Sequence, residues 1–223
     1  LLSVFISGER SNFIKSVLLT LVFISFIPSE RLLIKKIKFF FIIILTLFAV
    51  YFLNESIKKR YDEFYQRIIV SEKVGFNKFE NIKYFSHYKV AIEIFKDNLI
   101  LGVGNKNFRW DCHKTKYKDL NEKFNIQRCS THPHQVHLEI LSEHGLLGYI
   151  LIAYIFIKFI FSKLGYMIKN KLIFEYGLSF LLLIFFTPLI PSGSLFSSYS
   201  GSFFWLILSI LNYRLIFLNK LKK

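Results

Sequence analysis

The chain has 223 residues, 53% of them hydrophobic, with 27 Phe and only 4 Pro. One soluble core cannot hide that much apolar surface, so the composition excludes an ordinary soluble domain and reads as a membrane protein. Thirty Lys and Arg against fifteen Asp and Glu leave a formal charge of +15, but much of the excess sits in short clusters between apolar runs, and no basic stripe accompanies a recognisable nucleic-acid fold; cytoplasmic anchoring of helices explains it and no nucleic-acid partner is expected.

The opening LLSVFIS is neither a signal peptide nor a complete span, because the polar SGERSN follows at once. The expectation is a fragment whose N-terminal helices precede it. Apolar segments run over residues 13 to 27, 37 to 53, 146 to 162, 172 to 190 and 202 to 218. Each is slightly shorter than the ~20 residues that cross a bilayer core, and flanking Tyr, Trp and Lys extend the crossing. Five spans and a stub are predicted.

Sidedness follows from the short connections. Arg31, Lys35, Lys36 and Lys38 crowd the first, Lys163, Lys169 and Lys171 the third, and Lys220, Lys222 and Lys223 the tail, whereas PSGSLFSSYSGS carries no charge. The positive-inside rule puts the three clusters in the cytoplasm and SGERSN, residues 54 to 145 and PSGSLFSSYSGS on the opposite face. The expected fold class is all-α, a polytopic integral membrane protein in three parts. Residues 1–53 hold membrane helices, 54–145 a large periplasmic helical loop, and 146–223 three further membrane helices.

Within the loop, NESIKKRYDEFYQRI places Ile57, Tyr61, Phe64 and Ile68 on one helical face, and Phe85, Tyr88, Ile92 and Phe95 repeat that spacing until Asp97 and Asn98. Two amphipathic helices on or near the membrane surface are predicted. LILGVGNKNFRW has Gly102 and Gly104 but Asn107 where a dinucleotide fingerprint needs its third Gly, so it reads as a tight turn. The only cysteines, Cys112 and Cys129, share this non-cytoplasmic loop. An oxidising compartment favours a bridge between them, worth ~3 kcal/mol in the chain-entropy model. The alternatives are two unpaired thiols, or a zinc site with His113 or His132, which lacks a CxxC spacing.

Chemistry gathers in CSTHPHQVHLEILSEHGLLGYI, residues 129 to 150. Thr131 and Pro133 predict a helix start, and no breaker follows until Gly145. His137, Leu141 and His144 then share one face, Glu139 and Glu143 another. His134 falls in the first turn, at the membrane surface, where an imidazole titrating near working pH suits a general base. His137 and His144 read as headgroup contacts. HPHQVH is not the i, i+4 arrangement of HExxH, so no metal is expected. Glu139 and Glu143 read as solvated helix-face charges rather than a glycosidase pair.

His134 and Gln135, nine residues, then Gly145-Leu146-Leu147-Gly148 resemble the H-[N/S/Q]-x9-G-x-x-G signature of the O-antigen ligase and polymerase superfamily. FKDNLILGVGNKNF is similar to that family's short helix, GxG and aromatic, RCSTHPHQ to its C-x-x-H-P-H-N form, and SGERSNFI to its Ser/Gly-Arg-Ser motif. Where the family carries arginine or tryptophan before GxG, this chain has SHYK, with His87, Tyr88 and Lys89.

The resemblance spans the whole chain as the C-terminal half of such an enzyme. It implies a GT-C-like glycosyltransferase in a bacterial inner membrane, its active site facing the periplasm. The donor would be a polyprenyl-pyrophosphate-linked glycan and the acceptor a lipopolysaccharide core or a growing glycan, with the lipid bilayer as surroundings and no cofactor. By position His134 would assist deprotonation of the acceptor hydroxyl, and Arg10 would engage the donor's pyrophosphate. Lys106, Arg109, Arg128 and His87 are candidate further substrate contacts. No DxD sequence is present, so a metal-bound nucleotide-sugar donor is not expected. A polymerase extending the lipid-linked chain remains open, as does a transporter or flippase subunit without covalent chemistry. Against transport, Lys15, Lys158, Glu175 and Arg214 lie near segment ends, where they can snorkel.

Overall fold

The computed structural model describes residues 1–7, 9–26, 33–68, 83–120, 128–188 and 190–221, which form helices and turns with no strand among them. Gly8, Arg31, Lys222 and Lys223, used above for a motif and for sidedness, lie outside the described residues. The chain divides into two compact units, Leu1–Lys78 and Phe79–Lys223.

In the first unit α1 (Leu2–Ile6) packs on α2 (Arg10–Phe26) and on α3 (Leu33–Leu53), which meets α4 (Glu55–Ile68). Apolar residues fill α3, whereas α4 is two-faced: Ile57 is buried and Tyr61 and Phe64 half-buried. Asn54 Oδ1 accepts the Ile57 N–H at 3.1 Å, the side-chain cap that lets a new helix begin. The helix axis bends by 100° there. Phe5 lies against the Tyr61 ring, centroids 4.7 Å apart, and the Phe13 ring, 5.2 Å away.

The second unit runs through α5 (Lys83–Asp97), the short α6 (Phe108–Asp111), a 3-10 turn (Thr115–Leu120) and α7 (Val136–Phe156). A π-helical turn (Ile157–Phe161) then leads into α8 (Ser162–Lys169), followed by α9 (Ile173–Phe185) and α10 (Ser200–Leu221). Helix α5 buries His87, Val90, Ala91 and Ile94, and of the predicted apolar face Phe85, Tyr88, Ile92 and Phe95 it buries Tyr88, half-buries Phe85 and Phe95 and exposes Ile92. That side packs against α7 and α6. Val90, Ala91, Ile94, Phe108, Cys112 and Tyr117 form that core.

Five spans were expected. Among the described residues two helices are long and apolar enough to cross a membrane, Val136–Lys169 and Ser200–Leu218, and the bent pair Phe40–Leu53 with Glu55–Gln66 would make a third. The segment expected over 172 to 190 is helical only over Ile173–Phe185. Pro188 disfavours helical backbone at Thr187 and ends it early. Glu175 is not snorkelling: it is buried, and Arg214 Nε of α10 donates to its Oε1 at 2.5 Å. An unpaired carboxylate there would be costly, so each charge holds the other.

Gly145 interrupts α7 with φ 64° and ψ −165°. In a continuous helix the Leu146 and Leu147 amides would pair with the Ser142 and Glu143 carbonyls. Here the turn 99–104 takes all four groups. Leu146 and Leu147 donate to the Leu99 and Ile100 carbonyls at 2.8 and 3.2 Å, while Val103 and Gly104 donate to the Ser142 and Glu143 carbonyls at 3.0 and 2.8 Å. Two glycines permit the approach. A Cβ on Gly145 would strike the Ile100 carbonyl and one on Gly102, at φ 66°, the Glu143 backbone.

A candidate active site around His134

Helix α7 does not begin at Pro133. Gln135 is its N-cap, in extended conformation, and Gln135 Oε1 accepts the Leu138 N–H at 2.9 Å. His134 therefore precedes the helix instead of occupying its first turn, and it adopts a left-handed backbone with φ 59°. Such a conformation is uncommon outside glycine, though histidine tolerates it better than most, and it persists only where surroundings enforce it. The enforcing contacts come from the loop before α10. Ser192 N–H donates to the His134 carbonyl at 2.8 Å, and Ser192 Oγ accepts the Val136 N–H at 2.9 Å.

The His134 ring sits among aromatic and polar groups. Its Nε2 lies 3.0 Å from Ser130 Oγ, and the rings of His132, Tyr84 and His87 have centroids 4.2, 4.9 and 5.4 Å away. Helix α5 contributes Tyr84 and the buried His87, whose Nδ1 donates to the Arg128 carbonyl at 2.9 Å. Burial pushes the His132 imidazole below its ordinary value. A backbone hydrogen bond at Ser192 opposes this, and the charges of His87 and Arg109 add to it.

Arg109, on α6, is half-buried, and its Nε meets no hydrogen-bond partner among the described residues. Lys106 is exposed at a left-handed position, φ 60°. The Arg128 guanidinium is occupied: Nε donates to the Cys112 carbonyl at 2.9 Å and Nη2 to the His113 carbonyl at 3.3 Å. Cys112 and Cys129 pair as a disulfide, Cα atoms 5.4 Å apart. Cys112, His113 and Cys129 form a group with three potential metal-ligand atoms close together, but paired sulfurs are not the thiolates that zinc takes.

Glu139 and Glu143 are corrected from solvated charges to buried carboxylates. Glu143 accepts the Lys106 N–H on Oε2 at 2.8 Å and the Phe108 N–H on Oε1 at 3.1 Å, and Glu139 Oε2 accepts the Leu195 N–H at 2.9 Å. Each thus ties a loop to α7 where water would otherwise satisfy the amides. His137 is likewise internal: Nε2 donates to the Phe186 carbonyl at 2.8 Å and Nδ1 lies 3.0 Å from Tyr149 Oη. It lines an apolar cavity of about 320 Å³ together with Ile140, Tyr149, Phe156, Leu183 and Phe186 among others. His144, read above as a headgroup contact, lies against Phe196 with ring centroids 4.4 Å apart.

Tyr84, Ser130, His132 and Ser192 were not singled out for this cluster from sequence; only the density of histidines pointed at one of them. Gly145 stands at the helix break, and Gly148 one turn later lies against the His144 side chain. Arg10 belongs to the other unit. It opens α2 with its guanidinium carbon 4.9 Å from the Phe64 ring centroid.

No curated protein and no solved structure matches the chain. A family model described as O-antigen ligase matches residues 1–153 of the 223, a stretch that includes Arg10, the Gly102–Gly104 turn, His134 and the Gly145 break. That family, together with the apolar helices, fits a bacterial membrane protein and implies glycosyltransferase activity of the ligase or polymerase kind. The chain belongs to the O-antigen ligase family.

Proposed function

We propose that the protein transfers a glycan from polyprenyl pyrophosphate to an acceptor sugar hydroxyl, such as one on the lipopolysaccharide core, at the periplasmic face of the inner membrane. The observation that carries this reading is His134 itself: a left-handed histidine held at both sides of a helix cap, its ring in a cluster of imidazoles and hydroxyls that includes His132, on which the Arg109 charge acts. The neutral imidazole takes the acceptor proton as the acceptor oxygen attacks the anomeric carbon, and the bond to the pyrophosphate oxygen breaks. Polyprenyl pyrophosphate is a good leaving group, so fixed cations suffice for the charge that develops on it. Arg109, whose Nε meets no acceptor among the described residues, and Lys106 suit that task. Arg128 and His87 act by holding the loop and the neighbouring imidazole.

The test is transfer by the full-length protein in lipid with a lipid-linked donor and no added metal. His134→Ala is expected to abolish transfer while membrane insertion stays normal, and near-normal transfer would overturn the mechanism. A glycolipid ladder from cells lacking the gene separates ligase from polymerase. Bare core with lipid-linked polymer marks a ligase, and core carrying one repeat unit marks a polymerase.

A further inference from the structure

We infer that residues Leu99, Ile100 and Leu101 form a lip embedded in the acyl chains of the bilayer, which holds the histidine cluster at a set height above the hydrocarbon. The three are consecutive and exposed by 54, 71 and 68%. An isolated exposed leucine needs no explanation, but a projecting run of three has an apolar contact to make. Its occupant is identified by what the lip adjoins. The Leu99 and Ile100 carbonyls accept the Leu146 and Leu147 amides, and from that point Leu146, Leu147, Ile150 and Leu151 of a helix apolar and long enough to cross a membrane are also about half exposed. The lip continues a lipid-facing surface that already exists.

Backbone pairing lowers the cost of the insertion. Non-helical backbone is excluded from hydrocarbon because its polar groups go unpaired. Here Leu99 and Ile100 spend their carbonyls on α7, and Gly102 donates its N–H to the Asn98 carbonyl at 2.9 Å. Polar groups flank the apolar tip, with Asp97 exposed before it and Asn105 and Lys106 exposed after it, which limits how deep it goes. Because the lip is bonded to α7 at the Gly145 break, its depth is transmitted to Val136, roughly 14 Å along the axis at 1.5 Å per residue, and so to His134.

The test uses the full chain in lipid nanodiscs, with Ile100→Cys carrying an environment-sensitive fluorophore; Cys112 and Cys129 are paired and do not compete. Leu151→Cys serves as lipid reference and Lys118→Cys as aqueous reference. At position 100, quenching by doxyl-labelled lipid is expected to match that at 151, with iodide quenching reduced roughly threefold or more from that at 118. Iodide quenching equal to that at 118 overturns the inference, and so does shielding from both quenchers, which means protein covers the lip. The unaltered chain gives an independent reading. A lipid with a diazirine in its acyl chain is expected to label 99–101 together with 146–151, and labelling of 146–151 alone overturns it.

Discussion

The backbone N–H of Ser192 donates to the carbonyl of His134 across 2.8 Å, while the hydroxyl of the same serine accepts the Val136 N–H at 2.9 Å. One residue thereby grips both neighbours of the Gln135 cap. Ser192→Ala leaves a buried N–H without its acceptor, a loss of ~1–3 kcal/mol. The expected outcome is faster hydrogen exchange at Val136 and a reduced turnover with donor KM unchanged, both restored by Ser192→Thr. Unaltered exchange at Val136 would show that the hydroxyl is not what fixes the cap.

Glu143 is predicted to be a positioning residue for Lys106, before α6, and Arg109, on it. Its carboxylate holds the amides of Lys106 and Phe108. Glu143→Ala removes two charge-assisted bonds, one to the buried Phe108 amide and one to the part-buried Lys106 amide, at a cost of about 3 kcal/mol in stability. Glu143→Gln keeps one acceptor oxygen and is expected to retain part of that stability. Thermal melts in detergent rank the variants, and donor KM should rise in the same order if Lys106 and Arg109 contact the pyrophosphate.

At the helix break, Gly145→Ala meets two obstacles at once, a left-handed φ of 64° and the Ile100 carbonyl. A loss beyond ~1 kcal/mol is expected, since the substitution both strains the backbone and forces the inserted turn outward. Gly165→Ala is the control: it lies in α8 with open space around the added carbon and should be neutral or slightly stabilising. Equal melting temperatures for the two variants would contradict the inserted-turn geometry.

The pH dependence follows from His132, which burial keeps below its ordinary value of 6.5. Between that depressed value and 6.5 the unfolded chain binds a proton that the folded chain does not. Stability therefore falls as pH drops through 6.5 and is fully present above it. His132→Gln is expected to flatten this part of the profile. The measurement is the difference in melting temperature between pH 7.5 and 5, which should be smaller in the variant than in the parent chain.

How much was legible in the sequence depended on the range of the interaction. Local composition and apolar runs marked an all-helical membrane protein, and Gly145 could be recognised as a breaker because only short-range backbone preference was involved. The helix start was misplaced by a few residues because glutamine is an unusual cap, and Thr131 and Pro133 carried the ordinary signals. Periodicity found the apolar face of α5, Phe85, Tyr88, Ile92 and Phe95, but not that His87, Val90, Ala91 and Ile94 would be buried beside Tyr88, because that burial depends on contact with α7.

The sequence by itself determined which segments are helical and apolar, and which motif residues, His134, Gln135, Gly145 and Gly148, stand at the family's spacing. Tertiary structure alone decided what surrounds them. Glu139 and Glu143 look like surface charges until Leu195, Lys106 and Phe108 bring amides to them from loops distant in the chain. The uncharged PSGSLFSSYSGS looks like a plain connection until Ser192 reaches His134. Burial of a polar group is tolerated only when a partner arrives, and that arrival is set by folding across distances that no local pattern encodes.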